Sequence, residues 1–420
     1  MDQNQLFTLA LGICSPWKIS SIEFDAASKR LDILIDFPAG SRFRLGGDST
    51  DPGEYPVKDT FQKEWRHLNF FQHECYIKAR TPRVRLGDGS VLLVTPPWAG
   101  RALGFTLLFE ALLMQLMKYM AVQQVETVTG VTDDKLWALL GRYVTDARAL
   151  TDMSTLQSLG VDETSIRKGH NYVSLFVDAS KSQTLFVAEG KGSGTFMEFR
   201  KELEAHGGKA ESVTTISMDM SPAFIKGARE QFPDAQPIFD KFHITKMFNS
   251  AIDEVRRAEQ KSMDKEDGVL LKNSRWVFLK NRENLTPRQQ QTLAAIEMQG
   301  SNLKTFRMLR MRESLQEVYR VATSAADFRS RMMALRMWLA RSRLEPAMAL
   351  SRMMKEHWEG IVRWFDFRVT NAILEGINSL VKSAAARARG FRTVKNYVTI
   401  IFLITGKLNF SALNPAIITH

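Results

Sequence analysis

The segment from Leu156 to Phe239 constrains the fold of this chain most, because its hydrophobic pattern alternates between strand and helix in a definite order. Three strand-like stretches come first, followed by a helix that two glycines end, and then by a strand, a helix and a last strand. In order, these elements read SLGVDET, NYVSLFVDAS, TLFVAEG, GTFMEFRKELEAHGG, VTTISMDM, SPAFIKGAREQFP and AQPIFDKFH. Pro222 suits the first turn of the second helix, where a backbone N–H has no helical partner. This order predicts a mixed α/β domain.

Two aspartates stand on strands that this order brings together. The order is that of an RNase H-like domain, in which the first and fourth strands are expected to lie side by side. Asp162 lies on the first strand and Asp219 at the end of the fourth. Strand ends of α/β sheets hold catalytic groups in fixed positions while leaving them open to substrate. The alternative is that each aspartate only caps a turn.

Two carboxylates in one crevice repel each other unless a cation is bound. Mg²⁺ or Mn²⁺ accepts such oxygen ligands. A pair of these ions about 3.5–4 Å apart activates a water or a 3′-hydroxyl and stabilises the leaving oxygen of a phosphodiester. The sequence therefore predicts two Mg²⁺ (or Mn²⁺) ions held by Asp162, Asp219 and one further acid.

The candidate for the further acid is Glu375, in the helical stretch TNAILEGINSLVKSAAARARGFR. Helical spacing predicts a buried stripe of Ile373, Ile377, Leu380 and Ala384, and another face with Asn371, Glu375, Asn378 and Lys382. Gly376 beside the acid leaves room for a close approach of backbone or ligand.

His243 in FDKFHITK, which also contains Asp240 and Lys246, is a candidate to orient a scissile phosphate or to deliver a proton. A lone histidine near a strand end is more often a hydrogen-bonded structural residue, and this alternative stays open.

A helix-turn-helix is predicted between residues 99 and 150. Phe105, Leu108, Phe109, Leu112 and Leu116 are expected to form the apolar face of a long helix. The short helix AVQQVETVTG ends at a glycine, and VTDDKLWALLGRYVTDA follows with Thr132 and Asp133 as possible caps. Candidates for DNA contact on this second helix are Asp134, Lys135 and Arg142. An ordinary helical hairpin is the alternative.

The charge balance favours a polyanionic partner. The 57 Lys and Arg against 46 Asp and Glu give a net charge of +11, and each basic side chain laid against a phosphate releases counterions. A basic enzyme with no such partner is the alternative reading of this balance. The candidate contact strip for phosphates and bases consists of Lys382, Arg387, Arg389, Arg392 and Lys395, with Phe391 and Tyr397 between them. A solvated basic helix end is the alternative for the strip.

The first ninety or so residues are predicted to form a small β-rich module. The region Trp17–Phe37 alternates as a hairpin, and HECYIKARTPRVRL reads as a further strand. Cys14 and Cys75 are the two cysteines of the chain, which excludes a disulfide framework and indicates a reducing compartment. The N-terminus does not look like a secretory signal, and charged residues interrupt the most apolar stretch. A cytoplasmic protein without membrane segments is expected.

Long motifs carry a resemblance to a known family. GVDET, GHNYVSLFVD, DMSPAFIKG, FDKFHITK, RWFDFRVTNAILEGINSLVKSAAARARGFR and WRHLNFFQHECYIKARTPRVR together resemble bacterial insertion-sequence DDE transposases of the L-three group. The resemblance implies a zinc ribbon, a helix-turn-helix and an RNase H-like catalytic domain with a helical insertion before the last acid. Carried over residue by residue, it places the catalytic triad on Asp162, Asp219 and Glu375.

The N-terminal module departs from the family pattern. Where relatives carry pairs of zinc-binding cysteines, this chain has Leu45, Asp48, Leu86 and Gly89. Cys75 alone cannot hold a tetrahedral zinc ion. Zinc is therefore not expected, and the module must depend on its own packing.

The resemblance implies a multidomain α/β protein with five segments. They are a degenerate zinc ribbon (1–98), a helix-turn-helix (99–150), the first part of the RNase H-like core (151–255), a helical insertion (256–365) and the C-terminal part of the core (366–420). The implied activity is metal-dependent cleavage and strand transfer at the ends of the chain's own element. The expected partners are double-stranded DNA and further copies of the chain, as a dimer or higher assembly at the bacterial nucleoid. The alternatives are a domesticated DNA-binding protein that does not cleave and a nuclease that cuts without joining.

Overall fold

The computed structural model of the chain describes residues 3–46, 51–102, 104–166, 172–263, 271–299, 303–367 and 372–417. The fold is mixed α/β with two sheets. It divides into two compact units, one formed by Met1–Thr151 with Val381–His420 and the other by Asp152–Leu380. The five predicted segments are finer than this division, and their boundaries stay predictions.

The first unit begins with helix α1 (Gln3–Ala10) and an antiparallel-rich sheet. Its strands are β1 (Lys18–Asp25), β2 (Arg30–Asp36), β3 (Arg42–Phe43), β4 (Tyr55–Phe70), β5 (His73–Arg85) and β6 (Val91–Leu93). Their order is β1-β2-β5-β4-β3, with β6 paired to β5. The predicted hairpin and β5 are confirmed, whereas β4 and α1 were not predicted. Charged residues such as Asp59 and Lys63 interrupt β4, so it lacks the apolar alternation that marks a half-buried strand.

Aromatic packing forms the core of this first sheet. The ring centroid of Trp17 lies 5.0 Å from the ring centroid of Phe43 and 5.0 Å from that of Trp98. Leu45 is buried in the same cluster, and Leu86 packs against it. Cys75 is also buried there, which raises the pKa of its thiol to about 11. Two of the positions at which the resemblance implies zinc ligands thus contribute apolar packing, while Asp48 lies outside the described residues.

Three helices follow in the first unit: α2 (Leu107–Tyr119), α3 (Val122–Thr129) and α4 (Asp133–Ala149). Gly130 ends α3 with a φ of +71°, which a glycine adopts without strain. The two predicted helices around this turn are therefore confirmed. The predicted apolar face of α2 is wrong for Leu108 and Leu112, which are exposed, while Phe109 is buried as predicted, together with Leu113 and Met117. Because leucine and methionine occur around most of this helix, spacing alone does not show which of them are buried.

The second unit contains a five-stranded sheet. Its elements are β7 (Ser158–Ser165), β8 (Tyr172–Asp178), β9 (Gln183–Glu189), α5 (Gly194–Ala205), β10 (Thr215–Met218), α6 (Pro222–Gln231) and β11 (Gln236–Phe239). The order β11-β10-β7-β8-β9 places the first and fourth strands side by side. β10 runs parallel to β7 and β11, and β8 runs antiparallel to its neighbours. The predicted sequence of strands and helices is confirmed.

Helices follow the sheet: α7 (Lys241–Ser262), α8 (Arg275–Leu279), α9 (Pro287–Gln299), α10 (Lys304–Val321), α11 (Ala325–Ala340), α12 (Glu345–Glu356), α13 (Trp358–Val362) and α14 (Trp364–Phe367). They share one hydrophobic cluster with the sheet. Arg312 is buried among them and donates to the carbonyl oxygens of Phe278, Leu279 and Lys280. These bonds satisfy acceptors that the C-terminal end of α8 leaves free.

Two further helices end the chain, α15 (Ala372–Arg387) and α16 (Val394–Thr405). The first part of α15 belongs to the second unit, while its last turns and α16 belong to the first. Among the described helices, none combines the length and the apolar character that crossing a membrane requires.

Candidate active site

Three aspartates lie at one level of the second sheet, at the edge formed by the C-terminal ends of β10 and β11. Ser217 of β10 pairs with Gly160 of β7, so Asp219 and Asp162 follow at equal distance along the two strands. Met218 pairs with Phe239 of β11, and the next residues are Asp219 and Asp240. Because side chains alternate along a strand and paired residues of parallel strands share a face, the three carboxylates lie on the same side of the sheet.

These carboxylates act on one another electrostatically. The pKa of Asp162 is raised to about 6, first because the carboxyl group is buried and further because of the negative charges of Asp219 and Asp240. A hydrogen bond at 2.8 Å from the N–H of Glu163, and the imidazole of His243, act in the opposite direction. A cation at this edge would relieve the repulsion.

His243 lies between two of the acids. It is in the first turn of α7, not in the strand, and its Nδ1 is 3.9 Å from Oδ2 of Asp219 while its Nε2 is 3.9 Å from Oδ2 of Asp240. Asp240 is buried and caps α7, because its Oδ1 accepts the N–H of Phe242 at 2.8 Å. The sequence assigned a role to His243 and none to Asp240. Asp240 could have been found from the sequence, because the strand motif QPIFD ends in an aspartate just as TISMD does.

Helix α15 contacts β7 through two buried residues. Nδ2 of Asn378 donates to Oδ2 of Asp162 at 2.5 Å. Leu374 covers Gly160, where an added Cβ would lie 3.0 Å from Cδ2 of the leucine. Glu375 is exposed on the same helix, next to Leu374.

The predicted faces of α15 need correction. Leu380 is 55% exposed and does not belong to the predicted buried stripe, whereas Asn378, predicted on the other face with Glu375, is only 7% exposed. The buried residues of this helix are Leu374, Ile377, Asn378, Val381 and Ala384. Asn371 lies outside the described residues.

The structure thus brings Asp162, Asp219 and His243 together and adds Asp240. It places Glu375 on the helix that packs against the strand of Asp162. Among the described residues, no group of three or more His, Cys, Asp and Glu side chains is arranged to hold a metal ion. The donors nonetheless fit a hard divalent cation in kind, since they are carboxylates. In addition, the buried Oδ1 of Asn378 beside Asp162 has no hydrogen-bond partner.

The predicted DNA-contacting residues belong to the first unit. Lys135 and Arg142 are exposed on α4, and Arg142 donates to the carbonyl oxygen of Arg101. The residues of the predicted basic strip are also exposed: Lys382, Arg387, Arg389, Arg392 and Lys395.

Two residues of this strip contact the helices of the helix-turn-helix region. Nη1 of Arg392 lies 3.5 Å from Oδ2 of Asp133 at the start of α4, and Arg387 donates to the carbonyl oxygen of Tyr119. Tyr397 is 1% exposed, so this ring does not belong to the predicted contact strip. Hydrophobic burial in α16 decides the position of this ring.

Comparisons with known proteins all show similarity to transposases. The family model of DDE transposases of the ISL3 group, described as a transposase, matches residues 159–401. The chain is 24% identical over 434 residues to the transposase for insertion sequence element IS1557 of Mycobacterium tuberculosis, with 96% of each protein covered. It is 26% identical over 345 residues to the transposase for insertion sequence element IS1001 of Bordetella parapertussis, with 80% of this chain and 82% of that protein covered. The matched region includes the sheet that carries the three aspartates and the helix that carries Glu375.

Proposed function

This chain belongs to the ISL3 group of insertion-sequence DDE transposases, and from that premise we propose that Asp162, Asp219 and Glu375 are its catalytic acids. The chain is a DNA transposase, and its family implies that it binds DNA. The observation that carries the assignment of the acids is the pairing of β7 with β10, which sets Asp162 and Asp219 at one level of one sheet edge.

The catalytic domain in this proposal is an RNase H-like core interrupted by a helical insertion. The strand order β11-β10-β7-β8-β9, with parallel pairing on one side of β7 and antiparallel pairing on the other, supports it. The long run of helices between β11 and α15 supports the insertion.

Asp162, Asp219 and Glu375 would hold two Mg²⁺ or Mn²⁺ ions, which supply Lewis-acid chemistry at a phosphodiester. Within the chain, the buried carboxyl of Asp162 and the neighbouring acids set the negative charge that such ions need. His243, between Asp219 and Asp240, is assigned to orient the scissile phosphate or to move a proton.

The proposed reaction takes place at the ends of the chain's own element. Water attacks a phosphodiester at the element end and breaks its P–O3′ bond, which frees a 3′-hydroxyl. This hydroxyl then attacks a phosphodiester of the target strand, so that a new P–O3′ bond forms while the target's own P–O3′ bond breaks and its 3′-oxygen leaves. Lys135 and Arg142 on α4 are assigned to the element ends, and the exposed strip from Lys382 to Lys395 to phosphates. Because joining needs two DNA ends, a dimer or higher assembly on DNA is part of the proposal.

Asp219→Asn tests the proposal. This variant should bind an end duplex like the natural protein and should not cleave it in Mg²⁺. Asp234→Asn, at an exposed aspartate in the turn before β11, is the matched control and should cleave normally. Cleavage by Asp219→Asn at the natural rate would remove Asp219 from the mechanism.

One observation favours a second candidate, a DNA-binding protein derived from a transposase that no longer cleaves. Leu45 and Leu86 provide apolar packing at positions where the resemblance implies zinc ligands, which favours a chain that has departed from the family pattern in its N-terminal module. Absence of cleavage by the natural protein, with end binding intact, would support this candidate. Pre-nicked ends then separate a transposase, which joins them to target DNA, from a nuclease, which does not.

A further inference from the structure

We propose that Asn378 is a positioning residue that holds the Glu375-bearing turn of α15 against Asp162. The inference rests on the proposed function, since it takes Asp162 and Glu375 as catalytic acids. It concerns how two residues that are 213 positions apart in the chain, by their numbers, come to the same edge of the sheet.

Two contacts attach α15 to β7, and the distance between the two contacting residues is similar on the strand and on the helix. On β7, Gly160 and Asp162 lie on one face, about 6.6 Å apart at the usual rise of a strand. On α15, Leu374 and Asn378 are four residues apart, about 6 Å along a helix. Leu374 covers Gly160 and Asn378 bonds to Asp162, so the helix follows the strand over one turn. Glu375 lies within this turn.

The chemistry of the amide suits this position. The partly buried carboxylate of Asp162 has two acids as neighbours, and the Nδ2 of Asn378 donates to it without adding charge. A lysine or arginine here would neutralise the carboxylate and compete with a cation, and a carboxylate would add repulsion. An apolar side chain would leave an oxygen of Asp162 without this donor.

The oxygen atom of the Asn378 amide indicates that this residue faces a ligand. Asn378 is 7% exposed, and its Oδ1 has no hydrogen-bond partner. Buried polar atoms are rarely left unsatisfied in a folded protein. The orphaned oxygen therefore offers an acceptor beside Asp162 to whatever enters the site. A side chain that served only to pack α15 would not need it.

Hydrogen exchange of the full chain tests the docking directly. In Asn378→Ala, the amides of residues 372–380 should exchange at least tenfold faster than in the natural protein, while those of β10 and β11 stay unchanged. Asn378→Ser, which is polar but too short to reach Asp162, should show the same faster exchange. It replaces the alanine variant in this test if Asn378→Ala does not fold. Ser379→Ala, at the exposed neighbouring residue, is the control and should leave exchange unchanged.

Cleavage of an end duplex at varied Mn²⁺ supplies a second readout. The concentration of Mn²⁺ at half-maximal rate should rise at least tenfold in Asn378→Ala and Asn378→Ser, because the acids are no longer held together. A purely structural role would lower the amount of active protein without moving this concentration. Unchanged exchange in both variants overturns the inference, and so does faster exchange with an unchanged Mn²⁺ dependence.

The proposed function can fail separately. If Asp162→Asn and Asp219→Asn cleave normally, these aspartates are not catalytic, whatever Asn378 does. If both aspartate variants are inactive while the Asn378 variants match the natural protein, the catalytic assignment of the aspartates is supported and the positioning role of Asn378 is contradicted.

Discussion

Asp219 and Asp240 lie side by side at the ends of β10 and β11, because the residues before them, Met218 and Phe239, are paired in register. Asp240 is the more buried of the two and also caps α7. Its position makes it a fourth acid near the proposed catalytic triad, and His243 lies between it and Asp219.

Asp240→Asn should separate the charge of this residue from its role as a helix cap. Asparagine caps helices as well as aspartate, so the melting temperature should stay within about 2 °C, whereas Asp240→Ala should lose about 1 kcal/mol. If the negative charge contributes to the site, Asp240→Asn should slow cleavage at limiting Mg²⁺. Thermal melting and cleavage at several Mg²⁺ concentrations measure the two effects. An unchanged cleavage rate would leave Asp240 with the cap alone.

The raised pKa of Asp162 predicts a dependence of stability on pH. The ordinary value is 3.8 and the folded value is about 6, so the folded protein binds a proton more tightly than the unfolded chain between them. Ionisation therefore costs stability as the pH rises through this window, by up to about 3 kcal/mol. Asp162→Asn lacks this cost. Relative to the natural protein, its free energy of unfolding in urea should increase between pH 4.5 and 7.

Magnesium supplies the control for this pH effect. At pH 7, added Mg²⁺ should stabilise the natural protein and leave Asp162→Asn nearly unchanged, since a bound cation offsets the repulsion. Parallel pH profiles for the two proteins would contradict the assigned cause.

Gly376→Ala should stabilise the protein while impairing cleavage. An added Cβ at Gly376 meets no atom within 4 Å, so the substitution gains about 0.5–1 kcal/mol of helix stability. If DNA approaches the backbone beside Glu375, the methyl group lies in its way. Urea unfolding and the single-turnover cleavage rate should therefore move in opposite directions. A stabilised variant with a normal rate would exclude a close approach at this residue.

Gly360 offers a contrast to Gly376. There an added Cβ would lie 2.4 Å from Cε2 of Phe239, the residue before Asp240. Gly360→Ala should therefore destabilise the protein by about 1–3 kcal/mol. Similar stability of both alanine variants would show that the described packing does not control these positions.

Lys135→Ala should weaken binding of the element end in a salt-dependent way. The side chain is exposed on α4, and loss of one phosphate contact lowers the slope of log K against log salt concentration by about 1. Binding measured at several salt concentrations gives the slope. Lys201→Ala, at an exposed lysine on α5, is the matched control and should leave the slope unchanged. Equal slopes for Lys135→Ala and the natural protein would place Lys135 outside the DNA contact.

Periodic apolar patterns account for what could be predicted of the fold. The elements from β7 to β11 were predictable because their strands contain short runs of apolar and β-branched residues and their helices begin or end at proline and glycine. β4 was not predictable in this way, since charged residues such as Asp59 and Lys63 interrupt the alternation of its apolar residues. The apolar face of α2 was misassigned because leucines surround that helix, and only its neighbours decide which of them are buried.

The sequence by itself determined the order of the elements, the family and the candidate acids, because these depend on local periodicity and on motifs that are contiguous in the chain. Only the tertiary structure decided which side chains meet. The register of β7, β10 and β11 set Asp240 beside Asp219, and the packing of α15 turned Asn378 toward Asp162. Such contacts depend on strand pairing and helix docking between distant segments, and a one-dimensional pattern contains no information on how those segments align.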